Sequence, residues 1–195
     1  VALPRLDAKC SPGAHVTDAP HSQFRLASDS AVTQWPPRLF KTCPDLTVVL
    51  VSNVNAPIPA DLLNTSSTVS LKRFQYSHSN ITSIPAQLFL GRATIGSVNI
   101  SHCPLLETVP AELFAGVHNI SGSLSFAHCG LRSVPHGLLR ELSDNSTVVD
   151  LSHNQLTWLP HDLCDTLSNR RASHPSDVRL DASVVCNSSM LQTPS

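Results

Sequence analysis

The sequence predicts an α/β solenoid built from stacked parallel strands, and three observations carry that expectation. Five prolines, Pro59, Pro85, Pro110, Pro135 and Pro160, recur 26, 25, 25 and 25 residues apart. Each follows an apolar residue and precedes an apolar pair: Leu62-Leu63, Leu88-Phe89, Leu113-Phe114, Leu138-Leu139 and Leu163-Cys164. Upstream of the prolines stands a short alternating motif, as in Phe74-Gln-Tyr76 and Val149-Asp-Leu151. A period of this size marks a repeat whose single unit cannot bury its apolar side and must lean on its neighbours.

Each element has a local reason. The alternating pair has the two-residue period of a strand with one buried face, and successive coils stack such strands about 4.8 Å apart into one parallel sheet. After the strand the chain turns, and an inward polar side chain can satisfy the backbone groups the turn leaves open. Asn53, Ser79, Cys103, Cys129 and Asn154 are read at that position. Proline then fixes φ on the return, where no sheet hydrogen bond is required. One extra residue at Cys103-Pro104-Leu105-Leu106 lengthens its coil.

Before the repeats, Phe24-Arg-Leu26 followed by Trp35-Pro36-Pro-Arg-Leu39-Phe40 reads as a degenerate coil. After them, Val178-Arg-Leu180 reads as a closing strand beyond a longer loop, Asp165 to Asp177. The expected organisation is one elongated domain. Residues 1–45 form an N-terminal cap with the degenerate coil, 46–164 the five repeats, and 165–195 a C-terminal cap with the closing strand. Thr47-Val-Val-Leu-Val51 is apolar on both faces; such strands are usually covered on both sides, so the N-terminal residues are expected to fold over it.

Aligned on the prolines, the repeats follow LxxLxLxxNxLxxLPxxLF, seen in Leu71-Lys-Arg-Phe74-Gln-Tyr76-Ser-His-Ser79-Asn-Ile81-Thr-Ser-Ile84-Pro85-Ala-Gln-Leu88-Phe89 and again in Val149-Asp-Leu151-Ser-His-Asn154-Gln-Leu156-Thr-Trp-Leu159-Pro160-His-Asp-Leu163. This closely resembles the leucine-rich repeat, in its extracellular 24-residue class, over about residues 24 to 164. The resemblance implies a curved solenoid with its sheet on the concave side and irregular or short 3-10 turns on the convex side. It implies recognition of a protein or cell-surface ligand without catalysis, as in receptor ectodomains or adhesion proteins such as the Toll-like class. A structural glycoprotein of extracellular matrix or a surface assembly, and an intracellular repeat scaffold, are the alternatives.

Six sequons, at Asn64, Asn80, Asn99, Asn119, Asn145 and Asn187, point to the secretory pathway and to N-linked glycans. Solenoid ends expose core and need caps. Cysteines flanking both ends are what an extracellular relative would use there, so the expected bridges are Cys10–Cys43 and Cys164–Cys186. Cys103 and Cys129 are then buried free thiols, with other pairings, one between these two included, left open. The expected setting is extracellular.

A net charge of −1 argues against a clustered basic footprint for nucleic acid. No apolar run approaches 18 residues, so no membrane span is expected. GxSxG, HExxH, CxxC and a phosphate-cradling glycine loop are missing from a chain with seven glycines. No enzyme, cofactor or metal site is therefore expected. His78, His102, His128 and His153 recur in register immediately before the inward polar residue. They would form a column whose rings repel once protonated, and their expected place is a solvated turn rather than a converging metal site.

The expected ligand face is the outward side of the sheet. Its central column is read as Arg25, Val49, Gln75, Asn99, Ser125, Asp150 and then Arg179, and the next as Val51, Ser77, Ser101, Ala127 and Ser152. Lys72, Arg73, Ser97 and Val148 stand just before the apolar pair. A sugar on Asn99 would sit in the middle of this face and push a ligand toward one end.

Overall fold

The computed structural model describes residues 22–27, 34–35, 39–40, 43, 46–63, 70–140, 142, 147–173 and 177–186. Within them the chain winds as a parallel-strand solenoid of about five turns. Strands β1 (Ser22–Ala27), β2 (Leu46–Ser52), β3 (Leu71–Ser77), β4 (Thr94–Ser101), β5 (Asn119–Ile120), β6 (Ser123–Ser125), β7 (Val148–Asp150) and β9 (Val178–Arg179) make one sheet. Its order is β1-β2-β3-β4-β6-β7-β9, with β5 also on β4. Strand order equals chain order, as expected when each coil lays its strand beside the last. A second small sheet pairs β8 (Trp158–Leu159) with β10 (Val185–Cys186), again in parallel.

The register puts like with like. Phe24, Val49, Phe74, Val98, Leu124, Val149 and Val178 align across the ladder, and all are buried. A second inward row holds Val51, Tyr76 and Ile100. Tyr76 is fully buried, and its hydroxyl donates to the Ala56 carbonyl at 2.7 Å, which is what makes a phenol tolerable in this core. Removal from water holds that phenol well above its usual range.

Opposite the sheet, the prolines open tight turns. Leu62, Leu88 and Leu113 each donate their backbone N–H to the proline carbonyl three residues earlier, at 3.1, 3.1 and 3.3 Å. Among the described residues, Ala111–Phe114 alone extends into a full 3-10 turn. The second residue of each apolar pair fills the space behind the sheet. Phe89 meets Phe74 edge-on at 5.3 Å and stacks on Phe114 at 5.6 Å.

Two expectations need correction, and a third falls mostly outside the described residues. The stretch read as the start of a loop after Asp165 continues helix α1, His161–Ser173. Leu163, Cys164 and Leu167 are buried on one side of it, and His161 pairs with Asp165 one turn on at 2.9 Å. The N-terminal strand β1 lies beside β2 in the sheet, and Val48 and Leu50 are half-buried on the outward side, while most of the N-terminal residues expected to fold over β2 lie outside the described residues. Finally, Val49 is wholly buried, not outward. The first repeat is one residue shorter between strand and proline than the second, so alignment on the prolines shifts β2 by one, and Leu50 is the true partner of Gln75. The same slip moves Val51 inward. It also places Val54, buried, at the turn position assigned to Asn53, which is exposed.

Cys164 and Cys186 form a disulfide with Cα atoms 5.8 Å apart, which ties α1 to the last strand. Cys43 is also disulfide-bonded, while its expected partner Cys10 lies outside the described residues. Cys103 and Cys129 are free and buried.

Candidate functional site: the outward face and rim of the sheet

Because alternate residues of each strand go inward, the remainder form ordered columns on the other face. The central column is Arg25, Leu50, Gln75, Asn99, Ser125, Asp150 and Arg179. The side chain of Arg25 lies outside the described residues. Gln75 is half-buried, with its amide 3.4 Å from the Ser77 hydroxyl. Asn99 is half-buried, and its side-chain oxygen is covered with no hydrogen-bond partner. Asp150 accepts from the Ser152 hydroxyl at 2.6 Å and backbone N–H at 3.1 Å. Its other oxygen lies 3.5 Å from the Arg179 guanidinium.

Beside this column run Val48, Arg73, Ser97, Ser123 and Val148. Arg73 and its neighbour Lys72 are exposed on β3, and Asp150 is matched within its own corner. The third row departs from expectation: Ser77 and Ser101 are buried, because the turn closes over them, whereas Ser152 stays half-exposed. The structure thus groups Arg73, Gln75, Ser97, Asn99, Ser125, Asp150 and Ser152 on one side of the sheet, with Lys72 exposed next to Arg73. It removes Val49, Ser77 and Ser101 from the contact surface.

At the rim, one polar side chain per coil serves the turn. Ser79 donates to the Ser77 carbonyl at 3.0 Å and accepts from Val54 N–H at 3.3 Å. Cys103 reaches the Ser101 carbonyl at 3.4 Å, and Cys129 the Ala127 carbonyl at 3.6 Å. A hydrogen bond with Cys129 and burial together hold the Cys103 thiol well above its ordinary range, so it stays protonated. Asn154 does the most: its amide reaches the carbonyls of Phe126 and Leu151, each at 2.8 Å, and its oxygen accepts from Leu131 N–H at 3.2 Å.

Immediately before each of these four, and before Val54 in the first coil, sits a residue in the left-handed region: Asn53, His78, His102, His128 and His153, with φ between 54° and 57°. Asn and His tolerate that backbone better than most side chains. Their N–H groups donate to the next coil, from Asn53 to Ser77, His78 to Ser101, His102 to Ala127 and His128 to Ser152. After His153 comes the closing strand β9, and the Asp181 side chain just beyond it takes the place of the backbone acceptor. Its carboxylate takes His153 N–H at 2.9 Å and Asn154 N–H at 3.1 Å. Those bonds hold Asp181 below the usual carboxylate range. Sequence reading missed this cap, although an Asp just after a closing strand is a usable signal for one.

Of the sequons, Asn80 is exposed in its turn, Asn99 and Asn119 lie on strands, and Asn64, Asn145 and Asn187 lie outside the described residues. Among the described residues no three His, Cys, Asp or Glu side chains are grouped to hold a metal ion, and no helix is long and apolar enough to cross a membrane. Compared with protein-family models and with curated proteins, the chain matches none of them.

Proposed function

We propose that this protein is a non-catalytic, extracellular recognition module of the leucine-rich-repeat kind. It binds a protein or cell-surface ligand through the outward, concave face of its sheet. One observation carries the reading: one face of the sheet is committed to core, while the other carries exposed Arg73 beside a half-buried polar strip of Gln75, Ser97, Asn99 and Ser125. A rigid strip of small polar side chains beside a positive pair suits a partner with a protruding acidic edge, since little side-chain entropy is lost on contact. The Cys164–Cys186 disulfide favours an oxidising setting. N-linked glycans on Asn80 would leave the strip clear, whereas one on Asn99 would confine the ligand to the Lys72-Arg73 end.

The test is a screen of the immobilised protein against secreted and cell-surface ectodomains, followed by substitution of whatever binds. Arg73→Glu and Ser97→Arg should each weaken the captured interaction at least tenfold, with Leu90→Asp on the opposite side leaving it unchanged. Loss only with Leu90→Asp would move the ligand to the other surface. Failure to capture any ectodomain, together with stoichiometric self-assembly, would favour the structural role.

A further inference from the structure

The rings of His78, His102, His128 and His153 form a continuous face-to-face stack. Successive centroids are 4.4, 4.6 and 4.1 Å apart and the planes lie within 8–12° of parallel. The backbone alone does not ask for histidine: Asn53 holds the same left-handed turn one coil earlier, at φ 56°. The edges of all four rings are exposed, so protons reach them freely, while the faces are covered by one another.

A stack of neutral imidazoles is attractive, and a stack of imidazoliums is not. Two unit charges about 4 Å apart repel enough to change an equilibrium roughly fivefold even in bulk water, and more where a ring face is dry. His102 has an imidazole on each side. Stacking strips water from its faces and the flanking His78 and His128 oppose its charge, and both effects push its pKa below the ordinary histidine value. On the N-terminal side the column meets Asn53, which carries no charge. On the C-terminal side the Asp181 carboxylate faces His153 and lies within the field of His128, so compensation is available at that end.

We propose that this column is a proton-sensitive seam: it holds the strand-to-turn rim closed near neutrality, and charging of adjacent rings between about pH 7 and about pH 5 breaks the stack and loosens the rim. The sign follows from the direction at His102. A depressed folded-state pKa means stability is fully present above the unfolded value, about 6.5, and is lost as pH falls through the folded one. His136 beside Asp162 and His161 beside Asp165, each at 2.9 Å, lie outside the column and keep their partners in every column variant. The seam is therefore read as a difference between variants rather than from the wild-type profile.

Thermal melts at about pH 7.5, 6.5 and 5.5 would compare the wild type with the variant carrying His→Asn at all four positions. Every tenfold loss in folding equilibrium lowers the midpoint of a 195-residue domain by roughly 3–6 °C. The wild type should lose at least that much more than the variant on acidification. Equal losses would overturn the proposal. Should the fourfold variant not fold, His102→Asn alone and the ring-proton titration of the wild type by NMR decide it. Retention of midpoint at low pH in His102→Asn, with the His102 signal titrating late and broadly, supports the seam. A His102 signal that titrates as an isolated imidazole refutes it.

Discussion

Asn154→Ala is the sharpest test of how the turns are held. The Asn154 amide has two hydrogens and three carbonyls in reach, Phe126 and Leu151 at 2.8 Å and Ser152 at 3.2 Å, and its oxygen holds Leu131 N–H at 3.2 Å. Alanine removes about three hydrogen bonds and leaves their backbone partners without them. Each net bond is worth about 1 kcal/mol, and a stranded buried group costs about 1–3 kcal/mol. Asn154 is only half-buried, so water recovers part of the loss, and a total of about 2–4 kcal/mol is expected. For a domain of this length that lowers the melting midpoint by roughly 5–15 °C. Asn154→Cys should fall between Ala and wild type, since Cys103 and Cys129 serve the same position in neighbouring coils with a weaker donor. Differential scanning calorimetry of the three proteins decides it. A midpoint within about 1 °C of wild type for Asn154→Ala, or a Cys variant no better than Ala, would refute the assigned role.

Further predictions follow from packing and charge. Ile100→Asp or Leu151→Asp should prevent folding, each placing an unpaired charge in the core, while Gln75→Ala should change stability by no more than about 0.5 kcal/mol in urea titration. Gly96→Val should be strongly destabilising, because a Cβ there would collide with the Lys72 carbonyl of the preceding coil. That effect would appear as a large drop in urea midpoint, and Gly116→Val, which meets open space, separates steric collision from backbone preference. Asp181, held below its ordinary range by His153 and Asn154 N–H groups, contributes stability that is present above about pH 4 and lost as pH falls through its folded value. Asp181→Asn should be less stable near neutrality and show a flatter acid limb between about pH 5 and about pH 2.

The period was legible because each coil repeats the same packing problem. Phe74, Val98, Leu124 and Val149 each sit where the two-residue pattern put them. The turn ladder of Ser79, Cys103, Cys129 and Asn154, the histidine column and the closing strand at Val178 could be read for the same reason. The register of the first repeat could not be read from proline spacing, since proline marks the return turn and says nothing of how many residues lie between turn and strand. An apolar Val48-Val49-Leu50-Val51 run offers no alternation to correct the error. Helix α1 was hidden because Leu163 and Cys164 fit a repeat's closing pair as well as a helical face. The cap at Asp181 depends on where the ladder ends, which is a property of the stack rather than of any one coil.

The proposed function requires that the chain mature in an oxidising compartment and meet its ligand outside the cell. The most direct measurement is intact mass of the protein from its native source, before and after glycosidase, with cysteine mapping under non-reducing conditions. The account predicts sugar on the exposed Asn80, a Cys164–Cys186 bridge, Cys43 oxidised, and thiols at Cys103 and Cys129 that alkylate only on unfolding. An unglycosylated chain with six free thiols would contradict it.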